Sequence, residues 1–294
     1  MKSILVIYHR ADFDGRFCCE IARRFYGEQA DYLGWDYGDP VPEVPVEVKE
    51  LIMLDISIPY LMDDGRLTWI DHHITAMQRF AAPGYRIEGV AACRLAWQWF
   101  MTHNIGRNPS APTYATLPTF QDYRDRKVQE PLAVRLAGEY DIWDKRDPDA
   151  ETWQHALHSV EDLTPLWPTL LALGDSNMVV QALLKDGRML QRCRQRENAS
   201  LIKARGFRLE WEGHVWLALN TPRCNSLTFE AGLTPEHDGC FAFCWTGTKW
   251  RVSLYGVPGK PEMDFSGIAA RYGGGGHRQA CGFETKALPF LQPA

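Results

Sequence analysis

Residues 66–73, RLTWIDHH, carry an apolar run that closes on an acid and two histidines. Side chains alternate faces along a strand, and just past its end they can turn toward one site. The same arrangement recurs elsewhere in the first half of the chain. SILVIY (3–8) runs into HRADFDG, LIMLDI (51–56) has Asp55 near its end, and GEYDIWDK places Asp141 after a helical pattern, with Asp144 close by. ADYLGW (30–35) is a further strand candidate, and RFCCEIARRFYG (16–27) and GVAACRLAWQWFM (89–101) read as helices, the first stopped by Gly27. Short apolar runs alternating with helical patterns predict a parallel sheet with helices on its faces. In such sheets, ligands sit beyond the carboxyl ends of the strands, where these acids and histidines fall.

Each acid alone would read as a cap or turn residue. Four clusters ending four apolar elements of one sheet point to a shared site. Carboxylates with imidazoles suit Mn²⁺, with Mg²⁺ or Fe²⁺ also accommodated. The ligands are too many for one ion with open positions, so two ions ~3.5–4 Å apart, sharing one carboxylate, fit better. Such a pair hydrolyses phosphoesters or phosphoanhydrides.

The 294 residues suffice for two domains, and 45% apolar content supports a buried core. A net charge of −5 and the lack of a polybasic run argue against a protein that coats long nucleic acid. No stretch approaches the ~20 apolar residues of a membrane span, and the N-terminal apolar run is too short for a signal sequence. The expectation is a cytoplasmic protein without membrane association. The eight scattered cysteines are read as reduced, and Cys240 and Cys244, two-periodic in CFAFCW, as small strand hydrophobes rather than a zinc site.

Residues 107–118 read as a loop, and 119–139 and 175–204 as helical. The second helix ends before Gly206 and divides the chain into a domain over 1–174, a helical linker over 175–205 and a domain over 206–294. After it, FRLEWEG, HVWLALN, CFAFCWT and KWRVSLYG alternate as strands of a second, smaller sheet, and DFSGIAARYGGGGH offers a short helix running into glycines. Gly273 to Gly276 can supply backbone N–H groups as an anion nest. His277 and Arg278 add donors, and Arg251 and Ser253 stand on a neighbouring strand.

HRADFDG, LDIS, IDHH and EYDIWD, in that order, resemble the four motifs of the DHH phosphoesterase superfamily, and RYGGGGHRQACGF (271–283) resembles the glycine-rich motif of its DHH-associated C-terminal domain. The resemblance spans nearly the whole chain. It implies an α/β fold: a parallel-sheet N-terminal DHH domain and a smaller α+β C-terminal domain joined by a helical linker, with substrate between them. It implies that His9 and Asp12 hold one metal, that Asp14, His72 and Asp141 hold the other, and that Asp55 bridges them. His73 would contact the scissile phosphate, with Asp71 orienting a histidine ring. Gly274, Gly275, Gly276, His277, Arg278, Arg251 and Ser253 would bind substrate.

GGGGH argues against the pyrophosphatase branch of that family, and the absence of spans and further domains against membrane-bound cyclic-dinucleotide enzymes and full RecJ-like enzymes. The expectation is a manganese-dependent hydrolase of short single-stranded oligonucleotides, including linear dinucleotides, or of nucleotide phosphates such as pAp. A cyclic-dinucleotide phosphodiesterase or a RecJ-like single-strand exonuclease is the alternative, and a non-catalytic nucleotide sensor the third reading. A homodimer stays open.

Overall fold

The computed structural model describes residues 2–103, 116–174, 177–222 and 224–291. Two compact units divide the chain, Met1–Leu190 and Gln191–Ala294.

The first unit opens with β1 (Ile4–His9), α1 (Phe13–Tyr26), β2 (Ala30–Trp35), β3 (Glu50–Leu54) and β4 (Leu67–Asp71). It continues through α2 (Ile74–Arg79), β5 (Gly84–Arg86), α3 (Ala92–His103), α4 (Phe120–Arg124), α5 (Leu132–Asp141), α6 (Asp149–Ser159), α7 (Trp167–Leu170) and the start of α8 (Met178–Arg205). The strand order is β2-β1-β3-β4-β5, every pairing parallel. Two-residue alternation sorts the strand side chains onto two cores. Ile4, Val6, Ile52, Leu54 and Ile70 face the layer of α1, α3 and α5, whereas Leu5, Ile7, Leu51, Met53 and Trp69 face the other side. That second face is covered by the connections after β2 and β3 and by Ala76 of α2, and not by a full helical layer. Trp69 is fully buried there, and truncating such a ring costs about 3–5 kcal/mol.

Element boundaries follow local chemistry. Helix α1 starts three residues before the expected position because the Asp12 side chain caps it, accepting from Gly15 N at 2.9 Å. The helix expected over 119–139 is two helices, separated by Arg126 in left-handed backbone (φ 54°) and by Pro131. Asn177 caps α8, accepting from the N–H groups of Val179 and Val180. Most of the loop expected over 107–118, and the first residues of the helix expected from 175, lie outside the described residues.

The second unit contains β6 (Phe207–Trp211), β7 (His214–Asn220), β8 (Gly239–Trp245), β9 (Trp250–Gly256), α9 (Ser266–Arg271), β10 (Gly275–His277) and β11 (Ala280–Thr285). Its sheet runs β10-β11-β9-β8-β7-β6 and is mixed, with β7 and β8 parallel and the other pairs antiparallel. With six strands it is not the smaller sheet that the sequence suggested. The last two strands come from the glycine-rich stretch, where few side chains announce a strand. Cys240 is buried and Cys244 half-buried on β8, and neither is disulfide-bonded. No helix among the described residues is long and apolar enough to cross a membrane.

Candidate metal centre

Strands β1, β3 and β4 are neighbours and parallel, so their carboxyl ends line one sheet edge at the usual ~4.8 Å strand spacing. This brings His9, Asp55 and the Asp71–His73 turn side by side. The order 2-1-3-4-5 reverses direction between β1 and β3, the crevice where sheets of this topology bind ligands. Asp12 and Asp14 arrive from the start of α1, and Asp141 is the last residue of α5.

Asp55 is the pivot. Its backbone is left-handed, φ 59°, a conformation aspartate tolerates better than most residues and one that clusters at functional sites. The carboxylate is 1% exposed and faces two ways. Oδ2 lies 3.4 Å from His9 Nδ1, and Oδ1 lies 3.5 Å from His72 Nε2. On the first side, His9 Nδ1 is also 2.8 Å from Asp12 Oδ2. On the second, His72 Nε2 is 3.2 Å from Asp141 Oδ2 and 3.6 Å from Asp14 Oδ2. Three overlapping sets therefore offer ligand atoms within 4.8 Å of one another: His9, Asp12 and Asp55; Asp14, His72 and Asp141; and Asp55 with Asp71, His72 and His73.

Four buried atoms of this cluster have no properly oriented hydrogen-bond partner among the described residues: His9 Nδ1, both Asp55 oxygens and His72 Nε2. Buried polar atoms are normally satisfied, so orphans that converge from both sides of one carboxylate fit a site built for cations. The charges agree. Burial and the Asp14 charge push the carboxyls of Asp55 and Asp141 well above the ordinary range. Burial pulls His9 down, but the adjoining carboxylates of Asp12 and Asp55 more than reverse this and push it up to about 11. Without cations, the raised pKa of His9 favours a proton on that ring in their place.

The flanking residues are fully engaged. Asp14 accepts from the N–H groups of Ala92 and Cys93 at 2.9 and 2.7 Å, so the N-terminus of α3 compensates its buried charge. Asp71 is buried and accepts from His72 N, His73 N and Trp69 Nε1. It also lies 2.7 Å from His73 Nδ1, which fixes that ring. Burial lowers the His73 pKa, and Asp71 more than restores it, to a net rise. Asp144, the neighbour of Asp141, is occupied by Arg146.

Two contributors escaped the sequence reading. Asp36, just past β2, lies 3.3 Å from His9 Nε2 and holds the far side of that ring. Its signal was the same one, an acid directly after an apolar strand. Gly15 packs against the end of β1, where an added Cβ would lie 1.9 Å from the His9 carbonyl oxygen.

In the second unit, a hollow of about 650 Å³ is lined by Arg251, Ser253, Tyr255, Gly274 and Gly275 among others. The four glycines do not act together as a nest. Gly273 (φ 78°) and Gly274 terminate α9, donating to the carbonyls of Ala270 and Ala269 in a Schellman motif, so their N–H groups are spent. Gly275, Gly276 and His277 form β10. Arg278 is exposed, 3.2 Å from Asp264 and bonded to the Glu262 carbonyl, and is not among the residues lining the hollow.

No protein-family model and no curated protein matches the sequence. Solved structures do. The DHH domain of a member of the s1p family of ribosomal proteins is 12% identical, with a TM-score of 0.59 over 97% of this chain and 83% of that one. The pGpG-specific phosphodiesterase PggH from Vibrio cholerae is 16% identical, with a TM-score of 0.51 over 97% of this chain and 94% of that one. An exonuclease RecJ bound to manganese is 15% identical, with a TM-score of 0.47 over 96% and 85% of the two chains. The likeness to the first two is one of fold: the chain has the fold of the DHH-domain proteins.

Proposed function

We propose that this chain of the DHH fold is a metal-dependent phosphodiesterase that cleaves short oligonucleotides, linear dinucleotides foremost, to mononucleotides, and that also accepts pAp. The observation that carries the reading is the two-faced Asp55 carboxylate, with orphaned histidine nitrogens on both sides. His9 and Asp12 would hold one divalent ion, Asp14, His72 and Asp141 a second, and Asp55 would serve both. Manganese suits this donor set of oxygens and imidazoles. Bound there, two ions supply charge neutralisation of the phosphate and a water of lowered pKa.

The protein's own groups do the rest. Asp36 and Asp71 fix the rings of His9 and His73, so neither must be ordered when substrate arrives. His73, its pKa raised by Asp71, offers positive charge to the phosphate and a proton from Nε2 to the departing oxygen. The second unit would bind substrate through the hollow beside β9 and β11. A linear dinucleotide as substrate also accords with the pGpG-specific phosphodiesterase that shares the fold.

The test is a product time course with added Mn²⁺, offering 5′-phosphorylated di- and pentanucleotides, pAp and a cyclic dinucleotide in parallel. Fast mononucleotide release from the dinucleotide, with the cyclic compound intact, is the expected result. Faster cleavage of the cyclic compound would overturn the substrate assignment. Silence on all of them would return the chain to the class of nucleotide sensors.

A further inference from the structure

A pocket in the first unit is separate from the metal centre but is walled by the segments next to it in the chain. It measures about 300 Å³, the lower end of the ~300–1,000 Å³ range of small-molecule sites. Its walls come from the segments that anchor two of the carboxylates. Gly89, Val90 and Arg94 flank the α3 N-terminus that holds Asp14, and Ile142, Asp144 and Arg146 directly follow Asp141. The remaining side is α4.

The exposed area of the lining is more apolar than polar, although four charged residues reach it. The Phe120 ring is 45% exposed and stands over bare Gly89, where an added Cβ would come within 3.2 Å of it. Tyr123, 1% exposed, closes the floor. Three arginines reach the pocket, but two are already neutralised. Arg94 is paired with Glu130, and Arg146 is clamped by Asp144 and the Arg124 carbonyl. Only the exposed Arg124 guanidinium has no ion-pair partner among the described residues. A free phosphate would want several uncommitted cations. One exposed ring, one immobilised guanidinium plane and one available donor group suit a nucleobase instead.

We infer that this pocket takes the nucleobase of the nucleotide whose phosphate lies at the metal centre. The inference rests on the phosphodiesterase reading of that centre. Phe120 supplies the stacking surface. Arg124 carries donors only, so it favours a base edge with two acceptors, as guanine presents through O6 and N7.

The test is equilibrium binding of GMP, CMP and ribose 5-phosphate to the full chain with Mn²⁺. Base stacking on an aromatic ring contributes ~1–3 kcal/mol, so wild type should prefer GMP to ribose 5-phosphate by about fivefold or more. Phe120→Ala should bring that preference to within about threefold. Arg124→Ala should remove the preference of GMP over CMP. Both side chains are exposed, so both variants should fold, which melting curves verify. No GMP preference in wild type, or a preference that survives both substitutions, would overturn the assignment. Turnover reports separately: an inactive wild type that still prefers GMP refutes the hydrolase reading alone, and an active one without the preference refutes the base pocket alone.

Discussion

Asp55→Asn should make the metal-free protein more stable while destroying its response to metal. Asparagine keeps the size of the side chain and tolerates the left-handed backbone at φ 59°. What it removes is a carboxyl whose two buried oxygens lack hydrogen-bond partners and whose pKa is driven up by burial and by Asp14. The sign follows from linkage. An acid with a raised folded pKa binds more protons folded than unfolded, so it erodes stability as pH climbs above the unfolded value of ~4. At pH 7.5 that erosion is present, and the neutral amide, though still polar, removes it; for a buried charge left without partners the gain is on the order of 1–3 kcal/mol. At roughly 2–4 °C per kcal/mol for a unit of this size, the melting temperature in EDTA should rise by roughly 3–10 °C. Wild type at a hundredfold excess of Mn²⁺ over its dissociation constant should gain about 2.7 kcal/mol, and the variant should gain almost none. The assay is a pair of thermal melts per protein, in EDTA and in Mn²⁺. A variant that melts below wild type in EDTA, yet is stabilised by Mn²⁺ as much as wild type, would refute the view of Asp55 as a cation-bridging group.

Three further outcomes are expected. His73→Ala should lower kcat on a dinucleotide about a hundredfold while keeping the Mn²⁺-induced rise in melting temperature; losing that rise would make His73 a ligand instead. Binding of Mn²⁺ should release protons, because His9, held near 11, and the raised carboxyls of Asp55 and Asp141 must shed them to coordinate. Affinity should therefore rise from pH 6.5 to 8.5, and calorimetry in buffers of different ionisation enthalpy should count more than one proton per chain, with none counting against the scheme. Gly15→Ala should cost about 1–3 kcal/mol in denaturant melts, because its methyl group meets the His9 carbonyl; an unchanged midpoint would contradict that contact.

The parts that were legible in the sequence share a physical reason. A parallel strand is buried on both faces, so β1, β3 and β4 show as apolar runs, and the acids at their ends stand out against that background. Segments whose structure depends on distant partners were silent. The three-residue strand β5 exists only because β4 offers an edge. The β10–β11 hairpin is built from glycines that also serve a helix end. The break between α4 and α5 combines Pro131, which the sequence does announce, with a left-handed Arg126, which no propensity announces. Asp36 carried the same mark as Asp55, but its role appears only once the parallel pairing of β1 with β2 sets it beside His9.

The bonds from Asp14 to the first turn of α3 bear on how a silent form of this protein should be made. One carboxylate seats a packed helix and faces His72 across the cluster. Replacing it removes two jobs at once, and lost turnover could then be charged to either. A substrate-trapping form is better built at His72, whose ring nitrogen Nε2 faces the carboxylates of Asp14, Asp55 and Asp141 and seats no helix. Asp14 is best left alone, so that whatever the trapped complex shows can be credited to the chemistry and not to a helix adrift.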